Sequence, residues 1–128
     1  AMRALMQKSP ETVKDIIDYL CGCPVYDTVE VGDKEYFLSH SGIDGFVKGK
    51  RLSDYPEDAF YWGRPSLTDE YFNTATCVFG HTPTSEYGEE YRGKIIKTKT
   101  WINIDMGASD GVTEPVLLRL DDMVEFRN

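Results

Sequence analysis

The chain has only two histidines, and each follows a short apolar run of the kind that forms a covered strand. The segments read Phe37-Leu38-Ser39-His40-Ser41-Gly42 and Val78-Phe79-Gly80-His81-Thr82-Pro83. Tyr36, Phe37 and Leu38 do not alternate with polar residues, which is the pattern of a strand covered on both faces. A fold that accommodates both runs needs a sheet whose strands end on polar loops, where ligands of open sheets with helices on their faces bind. Two imidazoles at such strand exits can converge on one ion, because a rigid sheet fixes their separation better than mobile loops do. Gly80 allows a sharp turn or a close backbone approach, and Pro83 stiffens the exit. On residue chemistry alone the pattern also fits two ordinary hydrogen-bonded histidines, since no short-spaced Asp/Glu–His cluster accompanies them.

The remaining segments supply the rest of a single domain spanning residues 1–128. Ser9 is placed as N-cap, Pro10 at the first helical position and Glu11 near the positive end of the dipole. Val13, Ile16, Ile17 and Leu20 then form one apolar stripe on a helix reaching Cys21. Gly22 is suited to a left-handed C′ position, and Pro24 prevents continuation. Val25 to Val31 and Lys34 to Ser39 read as strands joined by a Gly32-Asp33 turn. Beyond Asp44, glycines and prolines break long elements, leaving one short helix near Glu57 to Tyr61 and another capped by Ser66 and running to Phe72. Thr76 to Phe79, Ile95-Ile96, Thr100 to Ile104, and a Val116 to Phe126 hairpin turning at Asp121-Asp122 complete a β-rich second part. The fold class is α/β or α+β.

Composition narrows the classes of function. At 128 residues such a chain removes roughly two-thirds of its extended surface from water on folding, enough for one core. The 41% apolar and 12% aromatic content excludes a disordered tail. A net charge of −8 with no Lys/Arg stripe argues against nucleic acid as a partner. No apolar run approaches the ~18 residues that span a bilayer, and no signal segment is visible, so no membrane partner and a cytoplasmic location are expected. Cys21, Cys23 and Cys77 are an odd set without zinc-site spacing and read as reduced thiols. Ala1 before Met2 is the order expected if Ala1 is left from a cleaved tag, and Met2 is then expected to be internal to a longer parent.

Four segments in order resemble those of calcineurin-like metallophosphoesterases of the bacterial or phage lambda protein-phosphatase type. Val78-Phe79-Gly80-His81-Thr82-Pro83 resembles the GHTP motif, and Leu38-Ser39-His40-Ser41-Gly42 resembles the earlier HAG-type motif. Tyr61-Trp62-Gly63-Arg64 is similar to the W-x-R segment between them, and Ile102 to Ala108 looks like the INIDTGA strand. The resemblance implies the second half of that family's β-sandwich with flanking helices. It further implies two divalent metals, manganese, iron or zinc, and phosphate monoester hydrolysis by attack of a metal-bridging hydroxide. By this resemblance His40 and His81 match ligands of one metal and Arg64 matches the arginine that binds the substrate phosphate, a task suited to a planar guanidinium. The alternative for Arg64 is an exposed loop arginine beside a packed Trp62. Asp105, which the family motif does not use as a ligand, is expected to shape the turn near His81. Asp44 reads as an acidic surface loop, although it stands close after His40. Tyr87, Tyr91 and the Glu86, Glu89, Glu90 run read as a solvated loop.

The first-half signals of that family, GD-x-H, GD-x-x-D-R-G and GNHE, are absent, and two imidazoles do not replace their carboxylates for hard cations. The chain is therefore expected to begin just after the GNHE segment, to hold no dinuclear centre stably and to be inactive alone. Its parent would act on a phosphoprotein or a small phosphoester, including diadenosine tetraphosphate-like nucleotides. The competing expectations are a non-catalytic binding or regulatory module and a two-chain enzyme completed by a separate subunit. A homodimer through an exposed sheet edge is also expected.

Overall fold

The computed structural model describes residues 5–111 and 113–127, so Ala1 and Met2 lie outside the described residues. Helix α1 spans Pro10–Cys21. Ser9 caps it by accepting the Thr12 N–H on its hydroxyl at 3.2 Å, with Pro10 at the first position as expected. Gly22 departs from expectation: it keeps right-handed angles (φ −84°, ψ −9°) and its N–H bonds back to the carbonyls of Asp18 and Tyr19. Pro24 is what stops the helix. The apolar stripe forms but is not buried, since Ile17 is 48% and Leu20 61% exposed.

Strands β1 (Tyr26–Val31) and β2 (Lys34–Ser39) pair antiparallel, from Tyr26 opposite Ser39 to Val31 opposite Lys34. At their turn Gly32 takes φ 65° while Asp33 does not enter positive φ, the sign pattern of a II′ hairpin. Strand β3 (Ala75–Phe79) lies parallel to β2. Strand β4 (Ile96–Lys97) is an antiparallel edge against β5 (Trp101–Asn103), which runs parallel to β3. The order is therefore β1-β2-β3-β5-β4, with β2, β3 and β5 ending on the same side. Strands β6 (Leu117–Leu118) and β7 (Glu125–Phe126) make the terminal hairpin. Its turn is wider than the two aspartates, because Arg119 N–H already bonds to Val124 O and Met123 takes φ 60°.

The non-alternating runs work as expected of strands with two covered faces. On one face Phe37, Cys77, Phe79 and Trp101 pack with Ile43, Tyr55, Phe60 and Tyr71 of the long connection between β2 and β3. On the other, Tyr36, Val78 and Ile102 are covered by partly buried residues that include Leu118, Leu120 and Met123. Within the connection, Glu57–Phe60 is a single 3-10 turn. No helix follows Ser66. Its N–H donates to the Asp69 carboxylate at 2.7 Å while Asp69 N–H returns to Ser66 O, and the Tyr71 N–H leaves for the Thr100 hydroxyl. Such side-chain partners offer the backbone an alternative to helix. Tyr87 and Tyr91 also differ from expectation, for they sit on two 3-10 turns and pack against the core while Glu86, Glu89 and Glu90 stay exposed. The result is a mixed, β-rich α+β architecture, and no helix among the described residues is long and apolar enough to cross a membrane.

Candidate metal and phosphate site

The parallel register of β2 with β3 brings the two histidines together. His40 is the first residue after β2, and His81 follows β3 by one glycine. Gly80 N–H donates to His40 O at 3.0 Å, so the ladder continues past the strand ends. Thr82 N–H then donates to Gly80 O at 2.8 Å with His81 at φ 69° between them. This is a three-residue γ-turn of the rare, strained kind, and positive φ in a ring-bearing residue marks a site where surrounding structure enforces the conformation. The enforcing residue is Asn103 at the end of β5. Fully buried, it donates its side-chain N–H to Thr82 O at 2.8 Å and accepts the Asp105 N–H at 2.9 Å.

His40 Nε2 and His81 Nδ1 are 3.1 Å apart, with the rings tilted by 62°. The other nitrogen of His81, Nε2, is buried and meets no hydrogen-bond partner among the described residues. Burial, then the charges of His40 and Arg64, lower the pKa of His81 from its usual value against opposing pulls from Asp105 and Glu86. Its imidazole is thus held in the neutral form that can offer a lone pair.

Trp62 and Arg64 reach this place through a tight backbone crossing. Gly42 and Gly63 form an antiparallel bridge, and the buried Ser41 hydroxyl accepts the Gly63 N–H at 2.9 Å. A Cβ on Gly63 would lie 2.1 Å from the Gly42 oxygen, so only glycine fits between Trp62 and Arg64. The rings of Trp62 and His81 meet at near right angles with centres 5.5 Å apart, and contrary to the packed side chain considered above Trp62 is 66% exposed. Arg64 is an exposed arginine whose Nη1 donates to Glu86 Oε2 at 2.9 Å. Asp44 lines a groove that also includes Arg64 and Asp69. Asp105 uses its carboxylate to accept the Gly107 N–H at 2.9 Å and its carbonyl to accept that of Thr84, a turn-shaping arrangement.

Two nitrogens bound to one ion at about 2.0–2.1 Å with angles of 90–109° lie about 2.8–3.4 Å apart, so the 3.1 Å His40–His81 separation fits two ligands of one metal as well as a hydrogen bond between the rings. The donor set is incomplete, since no group of three or more His, Cys, Asp or Glu able to hold an ion occurs among the described residues. Imidazoles alone favour borderline ions such as zinc or iron over hard ones. The three cysteines are free, and burial pushes the Cys77 thiol up to about 12, which keeps it protonated and inert. Ser41, Gly63 and Asn103 lie inside the segments that carry the resemblance, but nothing in the residue order assigns them these roles. Each acts through a partner distant in the chain. No known family model matches the chain, and no curated protein matches it.

Proposed function

We propose that this chain is the second half of a metal-dependent phosphoesterase site of the calcineurin-like kind, hydrolysing phosphate monoesters when the missing ligands are supplied. The observation that carries this reading is the 3.1 Å approach of His40 and His81 at neighbouring strand ends, maintained through a strained turn. His40 and His81 would hold one ion, and Arg64, after exchanging Glu86 for substrate, would orient the phosphate by donating paired N–H groups. Divalent metals, when bound, supply Lewis acidity and a nucleophile available at neutral pH. His81 contributes by staying neutral, and Asn103 by fixing its backbone. With two imidazoles and no carboxylate completing an ion site among the described residues, the chain alone is expected to be inactive.

The absence of a third ligand among the described residues favours a second reading, a binding module in which the histidine pair serves packing. One experiment separates them. The chain is combined with a polypeptide bearing GD-x-H, GD-x-x-D-R-G and GNHE segments, and p-nitrophenyl phosphate hydrolysis is followed with added manganese. The reading expects turnover in the mixture alone, abolished by His81→Ala and cut by roughly 10²-fold or more in Arg64→Ala, the scale of losing one aimed donor to transition-state charge. An associated pair with no metal-dependent turnover, or turnover indifferent to His81, sinks it.

A further inference from the structure

Nothing in the site described so far uses the indole of Trp62. Of the two tryptophans, Trp101 is fully buried whereas Trp62 is 66% exposed, an unusual outlay of apolar surface beside a polar cluster. Its position is not accidental to a loose loop. The Gly42–Gly63 bridge and the Ser41 hydroxyl clamp the next residue, and the ring meets that of His81 at near right angles. Arg64 follows two residues later, with its guanidinium held by Glu86 on the segment that leaves His81. An ester seated at Arg64 beside the histidines would therefore have a largely exposed indole as a neighbour. We propose that Trp62 is a stacking platform for the leaving group, giving the site a preference for phosphate monoesters that carry a planar aromatic ring over aliphatic ones.

This rests on the phosphoesterase reading, because it needs phosphate to seat at Arg64. It narrows the substrate class to esters with a planar ring: an aryl phosphate such as a tyrosine phosphate, or a nucleotide whose base reaches the indole. Both present a π-face, and stacking on an indole is worth about 0.5–1.5 kcal/mol beyond area burial, or roughly two- to tenfold in affinity.

The test titrates the chain with inorganic phosphate, glycerol 3-phosphate, phenyl phosphate and adenosine 5′-monophosphate. Histidine and arginine side-chain NMR signals report on the phosphate, and indole fluorescence reports on stacking. Trp101, fully buried, serves as an internal reference. Phenyl phosphate or the nucleotide is expected to bind roughly fivefold more tightly than glycerol 3-phosphate, a gain erased by Trp62→Ala and largely kept by Trp62→Phe. A gain for phenyl phosphate alone assigns the aryl ester, and one for the nucleotide alone assigns the base. Equal affinities, or a gain that survives Trp62→Ala, overturn the platform while leaving the phosphate reading intact. If inorganic phosphate moves neither the His81 nor the Arg64 signals, or Arg64→Ala binds as well, phosphate does not seat at Arg64 and the platform falls, while the phosphoesterase reading stands or falls separately with the manganese-dependent turnover of the completed site.

Discussion

His81 holds φ at 69°, a backbone region that costs a non-glycine residue of order 1 kcal/mol or more, and it does so with one ring nitrogen buried and unpartnered. Both penalties weigh on the folded state. His81→Gly is accordingly expected to raise the unfolding free energy by about 1 kcal/mol in urea titrations, although it removes a candidate ligand. The pH dependence has a definite sign. The folded-state pKa of His81 is lowered, so below about 6.5 the unfolded chain takes up the proton first and stability falls as pH drops toward the folded value. That decline should be shallower in His81→Gly, and an identical slope in both proteins would remove His81 as its source. The two histidines were legible in the sequence because nothing else in the chain combines an apolar run with an imidazole. The residues that position them were not, since Ser41 meets Gly63 and Asn103 meets Thr82 across 22 and 21 positions.

At the level of elements, periodicity reveals which face of a helix is apolar but not whether anything covers it. Helix α1 carries its N-cap and stripe where the pattern puts them, yet none of its residues is buried. Leu20→Lys should therefore change stability by less than about 0.5 kcal/mol, the range of ordinary surface changes. Phe60→Ala, which empties a position only 1% exposed and ringed by Tyr26, Phe37 and Tyr55, should cost about 3–5 kcal/mol. Chemical denaturation of the two variants checks both, and a large loss from Leu20→Lys would mean that the helix is covered in solution. The missing helix after Ser66 has the opposite lesson. Ser66 reads as a cap, and the Asp69 carboxylate does accept its N–H as in a capping box, but the chain leaves the helical path where the Tyr71 N–H goes to the Thr100 hydroxyl. Local hydrogen-bond competition of that kind is decided by rotamer and by the pull of Thr100, neither of which is visible in the residue order.

The whole molecule exposes 8719 Å², about a quarter more than the ~6,900 Å² of a compact monomer of its mass. The excess is consistent with an uncovered α1 and a second sheet face shielded only by partly buried residues. The long edge strand β1 is nevertheless protected. Asp27 accepts the Thr28 N–H on its own carboxylate at 2.8 Å, and Glu30 adds a second exposed charge. Pairing of two copies along this edge must bring like charges together, so replacing both acids, Asp27→Thr with Glu30→Thr, should strengthen self-association. Sedimentation velocity across a hundredfold range of concentration measures it, and unchanged profiles would show that β1 is not the surface through which copies meet.

The crossing of the chain at Gly42 and Gly63 has a consequence for how such a molecule can diverge. The spacing of the two imidazoles is written into a parallel ladder, whereas Trp62 and Arg64 hang from the long connection that joins its strands. Insertions or deletions within that connection, away from the crossing, leave the ladder untouched. Descendants of this chain can thus change the residues proposed to select a ligand while inheriting, unaltered, the pair of nitrogens proposed to hold an ion.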